Sequence, residues 1–181
     1  MAAVLRVIGP PGSGKTLLIV SLAEALRSRG HRVATVSPRR DGATLIVLSN
    51  SGRVTVEQPL GLERLRGAIP SMDPSVAIIL AEGYDAPGDA AFPAIVLAPR
   101  GAAPAAGALA VVASEEIEAT FARLGPGEMD SGATRGLVDL VEQRVLGVPP
   151  GEPPAAPPAP VRGWRAALRR FIVRQRRRSD P

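Results

Sequence analysis

The octapeptide Gly9-Pro10-Pro11-Gly12-Ser13-Gly14-Lys15-Thr16 combines free backbone, one ammonium and one hydroxyl at the spacing G-x-x-x-x-G-K-[ST]. That spacing suits a phosphate chain. Glycines let consecutive backbone N–H groups turn inward on an anion, and a helix starting near Lys15 adds the positive end of its dipole. Lys15 is expected to reach the β- and γ-phosphates of a nucleoside triphosphate, and the Thr16 hydroxyl to ligate Mg²⁺. Lys15 is also the only lysine in a chain with 21 arginines. A compact point charge fits such a loop where a planar guanidinium does not.

A nucleotide-bound Mg²⁺ usually has a protein carboxylate near it, direct or through water. Two residues are candidates. Glu82 ends the apolar run Ile78-Ile79-Leu80-Ala81 and precedes Gly83, which places it at the carboxyl end of a central strand, where open α/β sheets bind their ligands. Asp41 follows the second strand in Ser37-Pro38-Arg39-Arg40-Asp41-Gly42, a position open to a switch segment or to an ordinary turn. Arg39 and Arg40 could neutralise charge on the γ-phosphate or on an anionic substrate, but in so arginine-rich a chain they are read as solvated, and His31, between Gly30 and a strand, as a surface residue. Lys15 and Glu82 are thus the candidate catalytic groups, Gly9 to Thr16 the nucleotide loop, and Thr16, Asp41 and Glu82 the candidate metal ligands.

These groups need a scaffold, and the hydrophobic pattern predicts one. Val4 to Ile8 reads as a buried strand, Lys15 to Arg29 as an amphipathic helix stopped by Gly30, and His31 to Val36 as a second strand. Ala43 to Leu48 and Arg53 to Glu57 flank a turn at Ser49 to Gly52, as in a hairpin. Leu60 to Ile69 reads as a short helix. Val76 to Ala81 is an unbroken apolar run expected of a strand covered on both faces, and Ala94 to Leu97 and Ala108 to Ala113 repeat that pattern. Ser114 is the expected N-cap of a helix reaching about Leu124, and Thr134 to Leu146 the last amphipathic helix. The expected fold is α/β, a mainly parallel sheet with helices on both faces and an antiparallel hairpin insertion.

Composition divides the chain further. Seven of the twelve residues from Pro149 to Pro160 are proline. Residues 1–148 are close to neutral at −1, while 149–181 hold eight arginines against Glu152 and Asp180, a tail of +6 that accounts for the chain's formal charge of +5. A single basic nucleic-acid-binding domain is therefore not expected. The reading is a nucleotide-binding domain over 1–148, an extended proline-rich linker over 149–161 and a basic amphipathic helix over 162–181. In that helix Trp164, Leu168, Phe171 and Ile172 share one face opposite arginines, as in helices that lie on an anionic membrane or an acidic protein partner. The absence of cysteine excludes a disulfide framework and thiolate metal sites. No signal peptide or run of about 20 apolar residues is recognisable, and the expected location is cytoplasmic, with peripheral membrane attachment through the tail as one option.

In the order of its parts the chain resembles the molybdopterin-guanine dinucleotide biosynthesis protein B (MobB) family. The matching parts are the strand and loop Val7 to Thr16, the helix to Arg29-Gly30, the strand Arg32 to Val36, the apolar strand ending in Glu82-Gly83-Tyr84, and the strands Pro93 to Leu97 and Ala108 to Ala113. Where family members carry a Lys-His pair after the second strand, this chain has Ser37-Pro38-Arg39-Arg40-Asp41. The resemblance implies GTP as ligand, Mg²⁺ as cofactor, weak hydrolysis at most, a homodimer, and a role beside the guanylyltransferase that attaches GMP to molybdopterin. The Glu-Gly step is also similar to that of dethiobiotin synthetases, which implies an alternative, an ATP-dependent small-molecule kinase or synthetase. A nucleotide-dependent switch acting on the basic tail is a third reading. One lysine leaves no room for an Asn-Lys-x-Asp guanine reader beyond the loop, so GTP rather than ATP follows from the resemblance alone.

Overall fold

A computed structural model describes residues 1–38, 43–48, 52–102, 107–115, 117 and 132–149. Seven strands form one sheet: β1 (Ala3–Ile8), β2 (Val33–Pro38), β3 (Thr44–Leu48), β4 (Gly52–Val56), β5 (Ile78–Glu82), β6 (Ala94–Ala98) and β7 (Ala108–Ala113). Their order is β4-β3-β2-β5-β1-β6-β7. Strands β2, β5, β1, β6 and β7 run parallel, and the β3–β4 hairpin extends the sheet antiparallel from β2. The expected α/β class and hairpin insertion are thus present. The turn at 49–51, Arg39, Arg40 and Asp41, most of the helix after Ser114, and the linker and basic helix beyond Pro149 lie outside the described residues.

Two apolar layers cover the sheet, one on each face. Along β5, Ile78 and Leu80 point to one layer and Ile79 and Ala81 to the other, the two-residue period of a strand buried on both sides. Helix α1 (Lys15–Ser28) and α3 (Gly132–Val141) cover the first face, burying Leu18, Leu22 and Leu26 of α1 with Val138 and Val141 of α3. Helix α2 (Leu62–Met72) covers the second, with Leu62, Leu65, Ile69 and Met72 buried. Helix α2 continues past Pro70, where the sequence reading stopped at Ile69. The proline forgoes one bond in the last turn, and the seating of Met72 at 1 % exposure offsets it.

Three other expectations are corrected. The last amphipathic stretch is an α-helix only to Val141 and then a π-helical turn from Glu142 to Leu146. The chain widens where the Glu142 carboxylate accepts from Arg29 at 2.6 Å and meets His31 Nε2 at 2.8 Å. His31 is accordingly not a surface residue but 6 % exposed, roofed by an element more than a hundred positions away. Arg29 also pairs with Asp139 at 2.6 Å, and that hydrogen bond raises the guanidinium's already high affinity for its proton. Ser114 is itself helical, and its buried hydroxyl has no partner among the described residues, so it does not cap. No helix among the described residues is long and apolar enough to cross a membrane.

Candidate functional site

Strand β1 ends at Ile8, and the chain passes through Gly9–Gly14 into α1, whose first residue is Lys15. The loop wraps tightly because Gly9, Gly12 and Gly14 all adopt positive φ (154°, 78° and 87°). Ser13 N–H bonds to Pro10 O at 3.3 Å and Leu18 N–H to Gly14 O at 2.9 Å, closing the turn and starting the helix. The first N–H groups of α1 have no acceptor within the helix and face the loop end. A Cβ on Gly12 would meet no atom within 4 Å, so the loop's rim is open there. Ser13 is buried at 5 % exposure, and its hydroxyl has no hydrogen-bond partner among the described residues. That unmatched donor sits in a loop whose residue types suit phosphate oxygens.

Lys15 Nζ donates to Gly9 O at 2.9 Å and to Pro10 O at 2.7 Å, which folds the ammonium back over the loop. Thr16 Oγ1 donates to Glu82 Oε1 at 2.7 Å across 66 positions of sequence. The carboxylate reaches that hydroxyl because β5 lies beside β1, with Val7 in register with Glu82, so the end of β5 stands directly beside the start of the loop. A hydroxyl and a carboxylate oxygen in contact are hard donors of the kind Mg²⁺ accepts. Among the described residues no group of three or more His, Asp or Glu side chains gathers as a metal cage. An ion at Thr16 and Glu82 would therefore draw its other ligands from phosphate and water, the usual arrangement for Mg²⁺. Of the predicted site residues, Gly9 to Thr16 and Glu82 come together, and Asp41 lies outside the described residues.

Two buried polar groups stand beside the site, Arg6, which the sequence reading does not single out, and Tyr84, which it marks only as the aromatic after Glu82-Gly83. Arg6, in the middle of central strand β1, is 8 % exposed and donates from Nε to Phe92 O at 3.0 Å and from Nη1 to Tyr84 O at 3.1 Å. A charged residue interrupting Val4-Leu5-Arg6-Val7-Ile8 was the available signal. Tyr84, just past Glu82, is buried, and its hydroxyl lies near Thr44 without a hydrogen bond of acceptable geometry. Burial pushes the phenol up to about 12, partly offset by the neighbouring Thr44 hydroxyl, with a lesser upward push from Asp89. Because Tyr84 is the only tyrosine, an ultraviolet titration of the whole protein reads this group alone. The expected midpoint is about 12 when folded and about 10 in denaturant. The folded pKa is the raised one, so the group's contribution to stability is complete below about pH 10 and is lost as pH rises toward 12. Tyr84→Phe should flatten that part of the stability profile, and an equal slope in both proteins would contradict the burial of the ring.

No family profile matches the chain, and no curated protein matches it. Solved structures do. A MobB protein homolog from Bacillus stearothermophilus is 21% identical, covering 78% of this chain and 99% of that chain, with a TM-score of 0.45. MobB from Bacillus subtilis is 16% identical, covering 69% of this chain and 99% of that chain, with a TM-score of 0.43. A further structure, of molybdopterin-guanine biosynthesis protein B (MobB), is 21% identical over 64% of this chain and 92% of its own, with a TM-score of 0.40.

Proposed function

We propose that this chain is a MobB-like nucleotide-binding protein that takes Mg-GTP on Gly9 to Thr16 and assists the guanylylation of molybdopterin. The observation that carries the nucleotide reading is the 2.7 Å contact of Thr16 Oγ1 with Glu82 Oε1 at the mouth of the glycine loop. Loop N–H groups and the N-terminus of α1 would cradle the phosphates, and Lys15 would exchange its two loop carbonyls for phosphate oxygens. Thr16 and Glu82 would hold Mg²⁺, which supplies neutralisation of phosphate charge when bound. The choice of GTP and of the molybdopterin pathway rests on the order of motifs, above all Glu82-Gly83-Tyr84 closing β5 and Pro93 opening β6. The same reading includes a homodimer, a guanylyltransferase partner and a cytoplasmic location. It treats 1–148 as the binding domain, with 149–161 as linker to a basic tail at 162–181 that meets an anionic membrane surface or an acidic protein.

The test compares GTP and ATP affinity with Mg²⁺ and in EDTA for wild type and Glu82→Gln. GTP should be preferred, and Glu82→Gln should lose about 10- to 100-fold of the affinity gained with Mg²⁺ while leaving binding in EDTA nearly unchanged. ATP preference with turnover only on adding an acceptor would replace this reading by the kinase related to dethiobiotin synthetases. An undiminished Mg²⁺ gain in Glu82→Gln would remove Glu82 from the metal.

A further inference from the structure

The chain from β5 to β6 must pass over β1, which lies between them in the sheet. Parallel strands are usually joined by about a dozen or more residues, most often through a helix. Here the segment 83–93 contains only a short 3₁₀ turn, Pro87–Asp89. It crosses on the face of Val4 and Arg6, since Tyr84 and Phe92 belong to the apolar layer on that side. Without a helix to absorb them, the carbonyls of Tyr84 and Phe92 turn toward the sheet, and the Arg6 guanidinium donates to both, at 3.1 and 3.0 Å. Arg6 therefore pins the crossing where it leaves β5 and where it enters β6. No carboxylate lies within ion-pair distance of Arg6 among the described residues, so these backbone acceptors are what the buried charge has.

We propose that Arg6 is a positioning residue for Glu82, acting through the backbone of the crossing to hold the carboxylate against Thr16. Only Gly83 separates Glu82 from the pinned Tyr84. Gly83 has φ 70°, a left-handed conformation in which the chain turns sharply off the strand, and its N–H is held by Val7 O at 3.2 Å. Guanidinium, Tyr84 carbonyl, Gly83 turn and Glu82 make one short path from the centre of the sheet to the Thr16 contact. A lysine at position 6 keeps the charge but presents a point ammonium, which cannot reproduce the guanidinium's fixed pair of donors. This inference rests on the proposed role of Glu82.

The test is nucleotide affinity by calorimetry, with Mg²⁺ and in EDTA, on the full chain as wild type, Arg6→Lys, Arg6→Gln, Glu82→Gln and the Arg6→Lys/Glu82→Gln double variant, alongside amide hydrogen exchange of 83–93. Arg6→Lys should lose about tenfold of the Mg²⁺-dependent gain, the scale of removing a group that orients a metal ligand. Affinity in EDTA should stay unchanged, exchange at 83–93 should quicken, and the loss should vanish once Glu82 is glutamine. Equal weakening with and without Mg²⁺, or a loss that persists in the double variant, would make Arg6 a merely structural group and overturn the proposal. If Glu82→Gln loses the Mg²⁺ gain and Arg6→Lys keeps it, Arg6 alone is overturned. If Glu82→Gln keeps it, the Glu82 reading falls and the proposal with it. Should Arg6→Gln fail to fold, Arg6→Lys, which retains the buried charge, decides the matter.

Discussion

Replacing Lys15 with alanine is expected to weaken nucleoside triphosphate binding at least about 100-fold while leaving the fold nearly as stable. The two effects separate because of where the ammonium sits. Its acceptors in this structure are the Gly9 and Pro10 carbonyls, 2.9 and 2.7 Å away. Pro10 is exposed and Gly9 half-buried, so water can replace the lost donor, and an exposed hydrogen bond of this kind contributes about 1 kcal/mol or less. Against a triphosphate the same ammonium makes charge-assisted bonds of about 1.5–3 kcal/mol each, and two of them correspond to the predicted loss. Calorimetric binding paired with thermal unfolding checks both halves. Lys15→Arg should fail almost as completely, although it keeps the charge, because the guanidinium is planar and too wide for a site closed by the loop's own carbonyls. Unchanged affinity in Lys15→Ala would remove the loop as the nucleotide site.

The structure also explains which parts of the site could be read from the chain alone. Gly9 to Thr16 is a contiguous motif whose chemistry depends on neighbours in sequence, and Glu82 announces itself by ending a run of four apolar residues. Both are local signals, and both residues meet in space because parallel β1 and β5 share a register. Arg6 and His31 were opaque for the opposite reason. Arg6 finds its acceptors 78 and 86 positions away, and His31 meets Glu142 after 111. The apolar neighbours of Arg6 signal that it is buried but not what it binds, and nothing near His31 separates a buried histidine with a distant partner from a surface one. Helix ends were blurred by the same competition. Propensity stops α2 at Pro70, whereas burial of Met72 carries it on, and the π turn after Val141 arises where Glu142 is drawn toward Arg29 and His31. Local pattern therefore marks the glycine loop, and tertiary contact decides what steadies it.

Gly9→Ala tests that second layer. A Cβ at Gly9 would stand 2.6 Å from the Leu97 carbonyl oxygen and 3.0 Å from both Leu97 Cβ and Ser13 Oγ. The first contact is with backbone, and Leu97 is 1 % exposed near the end of β6, in register with Val112 of β7, while the residues before it pair with β1. The obstacle cannot swing away as the end of a flexible side chain would, so either β6 shifts or the loop lifts from the sheet. We expect a loss of roughly 2–3 kcal/mol, seen as a fall in Tm of about 5–10 °C for a domain of this size. Lifting the loop also misaligns the N–H groups that are proposed to cradle the phosphates, so triphosphate affinity should fall more than about tenfold in the protein that remains folded. Gly12→Ala is the control. Its φ of 78° also disfavours a side chain, yet a Cβ there meets nothing within 4 Å. Its cost should be the backbone strain alone, about 1 kcal/mol. Equal Tm values for the two variants would mean that left-handed strain dominates at both positions and that β6 does not brace the loop. A clearly lower Tm for Gly9→Ala would show that the glycine loop takes its shape from the strand beneath it as well as from its own glycines.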